Sequence, residues 1–132
     1  MTAELYPAVT PGLAHLRREL APDAAAAFSE FGKTVFADGA LSARFKNIIA
    51  VAVAHVTQCP YCIRGHTRAA LRKGASRQEL MEAIWVAAEM RAGAAFAHSI
   101  IAIEEMGEGD AAAAKDHPQH APATGEHHGH SI

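Results

Sequence analysis

Residues 45–66 read FKNIIAVAVAHVTQCPYCIRGH, an apolar run that closes on two cysteines and a histidine. The run from Phe45 through Ile48, Ile49, Val51, Ala52, Val53 and Val56 toward Gln58 is apolar nearly all round, which predicts a helix at the buried centre of the domain, with Ser42 as its cap. Pro60 cannot continue that helix without losing a backbone hydrogen bond, yet it suits the first position of a new one. A second helix is therefore expected from Cys59 or Pro60 to about Lys73, stopped by Gly74.

Outward from this junction the helical signals continue. Thr10 and Pro11 open a short helix carrying Leu13, Leu16 and Leu20, and Pro22 with Asp23 restarts the chain into another. Phe28, Phe31, Val35 and Phe36 recur there at helical spacing and are expected in the core, with Gly39 as a C-terminal cap. Ser76 with Glu79 forms a capping box before Leu80, Ile84, Trp85 and Ala88. A sixth helix is expected from around Gly93 through Ala97, Ile100, Ile101 and Ile103 to Met106. The reading is a single all-α domain of about six helices over residues 1–108. Residues 109–132, rich in Ala, Pro, Gly and His, read as a solvated tail.

Alanine makes up about a quarter of the 132 residues, and aromatic residues only 6%, which suits close helix packing and disfavours a β-rich fold. A formal net charge of -2, with both signs mixed along the chain, gives no electrostatic footprint for nucleic acid or an anionic membrane. The longest apolar stretch, Ile48 to Val56, is too short to span a bilayer, and the first residues lack the basic-then-apolar order of a signal peptide. A cytoplasmic protein is expected, where two cysteines three apart are a reactive dithiol or a metal site rather than a structural staple.

On a helix, Cys59 and Cys62 stand at i,i+3 and Cys62 and His66 at i,i+4, so all three can share one face. An imidazole one turn away can take a thiol proton, the thiolate can attack a peroxide, and a neighbouring cysteine can condense with the resulting sulfenic acid. Two arguments select different nucleophiles: Cys59 at the N-cap gains from the helix dipole, whereas Cys62 has the nearer imidazole. Three other arrangements use the same residues. His55, Cys59, Cys62 and His66 offer two nitrogens and two sulfurs to zinc, with the five tail histidines as a further loose metal tract. Cys-Pro-Tyr-Cys after an apolar run resembles a thioredoxin-type redox turn, but the proline such a fold needs on a later strand is missing before Pro118. The cysteines could also simply be buried and reduced.

Residues 46–75, with the alanine-rich helix leading into Cys59-Pro-Tyr-Cys62 and His66, and then residues 79–93, resemble the carboxymuconolactone decarboxylase and alkylhydroperoxidase D superfamily. The resemblance spans about residues 28–106, and the dithiol points to its peroxidase-like branch. It implies an all-helical subunit assembled into homo-oligomers, trimers or hexamers, that reduces hydroperoxides without a cofactor. It further implies that Cys62 attacks the peroxide, Cys59 resolves the disulfide, and His66 belongs to the proton relay. A thiol reductant or dihydrolipoyl-type donor would regenerate the dithiol. The alternatives are a zinc-binding or redox-sensing protein, or an oligomeric scaffold with weak activity.

One position departs from the family pattern. The relay glutamate expected twelve residues before the first cysteine is Asn47, which can hold a hydrogen bond but cannot carry a proton. His55, one turn before Cys59, and Glu89, inside an apolar run, are the candidates to replace it, with His98 a further one. The plain role for Glu89 is a salt bridge to an arginine such as Arg91.

Overall fold

A computed structural model describes residues 5–107 of the chain. The histidine-rich segment lies outside the described residues. The elements are α1 (Pro11–Leu20), α2 (Pro22–Phe36), α3 (Ala43–Thr57), α4 (Pro60–Arg72) and α5 (Arg77–Met106), and no strand occurs among the described residues. Two compact units are distinguished, Met1–Ala94 and Ala95–Ile132, and the site described below belongs to the first.

The helix starts follow their expected chemistry. Thr10 and Ser42 accept from the backbone N–H groups of Leu13 and Phe45, and Pro11, Pro22 and Pro60 occupy first turns. Before α5 the capping box is reciprocal: Glu79 N donates to Ser76 Oγ at 3.0 Å and Ser76 N donates to Glu79 Oε1 at 3.1 Å. The Arg44 guanidinium also pairs with Glu79, tying the start of α3 to the start of α5.

Three expectations change. The fifth and sixth helices are one 30-residue helix, because a lone glycine at position 93 costs about 1 kcal/mol against alanine and strong helix formers surround it. The aromatic stripe of α2 is not core within the subunit: Phe28 and Phe31 are 75% and 63% exposed, and only Phe36 is half-buried. The third helix buries a single stripe, Ala43, Asn47, Val51 and Ala54, while Phe45, Ile49, Val53 and Val56 stay exposed. The packed centre is small, with Val51, Ala70, Ala75 and Leu80 buried and Ile48 and Ile84 against them.

Among the described residues α5 is the helix long and apolar enough to cross a membrane by length and composition. Scattered charges such as Glu89 and Arg91 divide its apolar run, so a search for unbroken apolar residues passes over it.

Candidate functional site: a disulfide beside an apolar groove

The turn between α3 and α4 sets up the site. Gln58 adopts the left-handed conformation, φ 55° and ψ 47°, and its N–H donates to Ala54 O. Cys59 N donates to the same carbonyl at 3.1 Å. A non-glycine residue gives up about 1–2 kcal/mol in this region, and here the conformation ends α3 and lets α4 begin one residue later. The resulting antiparallel return brings His66 back to Asn47, nineteen residues earlier.

Cys59 is the N-cap of α4 and Pro60 follows at its first position. Cys59 and Cys62 are joined as a disulfide, with Cα atoms 5.2 Å apart. Cys59 Sγ accepts from the Cys62 N–H at 3.2 Å, so this sulfur faces the unpaired amides of the helix start. Cys59 is half-buried and Cys62 exposed.

A groove of about 400 Å³ lies beside the disulfide. Val35 and Phe36 of α2, Lys46, Ile49, Val53 and Thr57 of α3, and Cys62 and His66 of α4 are among its walls; Cys59 is not. Lys46 contributes its alkyl stem there while its ammonium donates to Ala37 O at 2.6 Å. Phe36 stacks on the half-buried His66 ring. On α3, the buried Asn47 donates through Nδ2 to Ala43 O at 2.8 Å and presents Oδ1 to His66 Nδ1 at 3.1 Å.

The remaining candidates stand apart from this cluster. His55 is half-buried, its Nδ1–H donating to Val51 O at 2.7 Å, and it is not a wall of the groove. Glu89 is exposed and makes no hydrogen bond or ion pair among the described residues, so the apolar run around it does not bury the carboxylate in the subunit. Arg91 does not pair with Glu89; its guanidinium donates to Val56 O at 3.2 Å, satisfying a carbonyl near the end of α3. His98 is exposed in the last part of α5. Among the described residues no group of three or more His, Cys, Asp or Glu side chains is gathered to hold a metal ion, so His55, Cys59, Cys62 and His66 do not converge as the zinc arrangement requires. Among the described residues there is no strand before Cys59 of the kind a thioredoxin-type turn requires.

Glu79 is held below the usual carboxylate range, first by the Ser76 backbone N–H and then by the Arg44 guanidinium. Sequence reasoning missed two contributors to the site. The spacing of Phe36 reads as part of a core stripe, and Lys46 carries no signal in the sequence that it walls a groove.

Comparison with known proteins agrees with this architecture. The pattern of the family described as carboxymuconolactone decarboxylase matches residues 22–105. "Uncharacterized protein 4 in cox locus" of Paracoccus denitrificans is 62% identical over 86 residues, which cover 65% of this chain and 78% of that protein. An uncharacterized protein of Cupriavidus necator is 40% identical over 72 residues, 54% of this chain and 64% of its own length. The crystal structure of a carboxymuconolactone decarboxylase family protein from Legionella pneumophila is similar with a TM-score of 0.55 at 37% identity, over 60% of this chain and 70% of that one. That of a protein from Methanobacterium thermoautotrophicum has a TM-score of 0.60 at 37% identity, covering 63% and 93%.

Proposed function

The chain belongs to the carboxymuconolactone decarboxylase family, which includes alkylhydroperoxidase D-like members, and from that premise we propose that it is a thiol peroxidase acting through Cys62, Cys59 and His66. The observation that carries this reading is the shared wall: Cys62 and His66 both line the apolar groove, whereas Cys59 sits behind at the helix cap.

In the reduced protein His66 takes the Cys62 thiol proton. The thiolate attacks the terminal oxygen of a hydroperoxide, forming an S–O bond as the O–O bond breaks, and the departing alkoxide receives the proton held by His66. Cys59 then attacks the Cys62 sulfur, the S–O bond breaks, and water leaves. The product is the Cys59–Cys62 disulfide, and a dithiol donor supplies the two electrons and two protons that reopen it. The helix start favours the Cys59 thiolate, which suits it to the resolving step. Walls of Val35, Ile49 and Val53 favour hydroperoxides with apolar substituents over hydrogen peroxide.

The same reading includes a homo-oligomer, trimer or hexamer, in a reducing cytoplasmic setting that supplies the donor. The support for the oligomer is the exposed apolar surface, with Phe28, Trp85 and Phe96 at 75%, 67% and 82% exposure.

The test is peroxide consumption with a dithiol donor. Cys62→Ser abolishes it, and Cys59→Ser leaves a sulfenic acid that a dimedone-type reagent traps. Full turnover in both variants overturns the mechanism.

A further inference from the structure

We propose that Asn47 is a positioning residue that holds His66 in the tautomer with its proton on Nδ1, leaving Nε2 as the ring's proton acceptor. The consequence for turnover rests on the peroxidase reading; the tautomer does not.

The argument begins at Ala43. Its carbonyl oxygen can only accept, and it receives a hydrogen bond from Asn47 Nδ2 at 2.8 Å. The donor end of the amide is thereby committed to the backbone of α3, and Oδ1 is the end that meets His66 Nδ1 at 3.1 Å. An amide oxygen is also only an acceptor, and two acceptors at that distance repel. The hydrogen between them therefore belongs to Nδ1, and a neutral imidazole with Nδ1–H keeps its lone pair on Nε2. Asn47 is 4% exposed, so water does not compete for either end of its amide. The Phe36 ring confines the imidazole plane from α2.

With the amide reversed, NH₂ would face the ring, the proton would move to Nε2, and the histidine could no longer take a proton there. The Ala43 carbonyl thus decides which nitrogen is free. A carboxylate at position 47 would accept the same hydrogen but would also stabilise the imidazolium and raise its basicity. The amide fixes the tautomer without adding that charge. The relay accordingly ends at His66, and a proton taken from Cys62 leaves with the alkoxide product or water rather than passing into α3. The other titratable groups on the groove are Lys46 of α3 and Cys62 of α4, while α2 contributes the uncharged Val35 and Phe36.

Two-bond proton–nitrogen correlation spectra of the full, oxidised chain, with ¹⁵N-labelled histidine, read the tautomer in the absence of any peroxide. The expected wild-type spectrum shows neutral His66 protonated at Nδ1. In Asn47→Leu that pattern is lost in favour of the Nε2–H form preferred by free histidine. In Asn47→Asp the carboxylate accepts the same hydrogen and the Nδ1–H pattern persists. An Nε2–H wild type, or an unchanged pattern in Asn47→Leu, overturns the proposal. Should Asn47→Leu fail to fold, loss of the Nδ1–H pattern in Asn47→Asp overturns it instead. Retained turnover in Cys62→Ser would sink the peroxidase reading and leave the tautomer result standing; an Nε2–H spectrum with normal peroxide turnover would do the reverse.

Discussion

The Phe36 ring lies against the His66 imidazole with centroids 4.8 Å apart and planes inclined by 26°. The stack joins the end of α2 to the middle of α4 within the wall of the groove, so the histidine ring is held against a residue thirty positions earlier.

Removing that contact frees the ring. Phe36→Ala should lower kcat/KM for an organic hydroperoxide by about tenfold through misplacement of His66, with a stability loss of about 1–2 kcal/mol because the side chain is only half-buried. Phe36→Trp should keep most of the rate. Peroxidase kinetics beside urea melts separate the two effects, and an alanine variant with the wild-type rate would show that the stack does not orient the ring.

Acid should weaken the start of α5 by a defined route. Glu79 has a folded-state pKa lowered from its ordinary value of 4.5 by the Ser76 N–H and then Arg44. A depressed carboxylate contributes stability that is complete above the unfolded-state value and is lost as pH falls through the folded one. The stability gap between wild type and Glu79→Gln is therefore expected to be constant above about pH 5 and to shrink as the pH drops further. Denaturant melts from pH 3 to 7 measure it. Ser76→Ala, which removes the other half of the capping box, should cost about 1 kcal/mol at neutral pH.

Gly93→Ala should stabilise the protein by about 0.5–1 kcal/mol. A Cβ there meets nothing closer than Glu89 Oε1, at an ordinary contact distance of 3.6 Å. Thermal melts report the gain, and a loss of stability would mean that another subunit packs against this glycine.

Light scattering coupled to size-exclusion chromatography should give a trimeric or hexameric mass without detergent. Trp85→Glu and Phe96→Glu should shift it toward the monomer and lower Tm. A wild-type chain recovered only with detergent or lipid would instead assign the apolar surface of α5 to a membrane.

Caps and breakers were legible because they act locally. Ser42, Pro60, Gly74 and the Ser76–Glu79 box place helix ends from a few neighbouring atoms, and the i,i+4 spacing of Cys62 and His66 already brings those two toward one side, while Cys59 at the cap lies off the groove wall. What linear reading lacks is the other side of each helix. Phe28 and Phe31 carry the period of a core face yet are exposed in the subunit, because period alone does not distinguish a buried face from one left open. Gly93 reads as a break, yet α5 runs through it because the helix formers on either side outweigh one unfavourable residue. Asn47 looked like a missing acid until the Ala43 carbonyl showed which end of the amide faces the ring.

The disulfide closes between residues only three apart in sequence. A cross-link spanning so short a loop removes little freedom from the unfolded chain, about 2 kcal/mol in the loop-entropy picture. That is less than half of what a loop of about 100 residues contributes, so the reduced protein of the proposed cycle is expected to stay folded, with a lower melting temperature than the oxidised form. In the proposed cycle the bond that opens and closes lies within one turn of helix, at the start of α4.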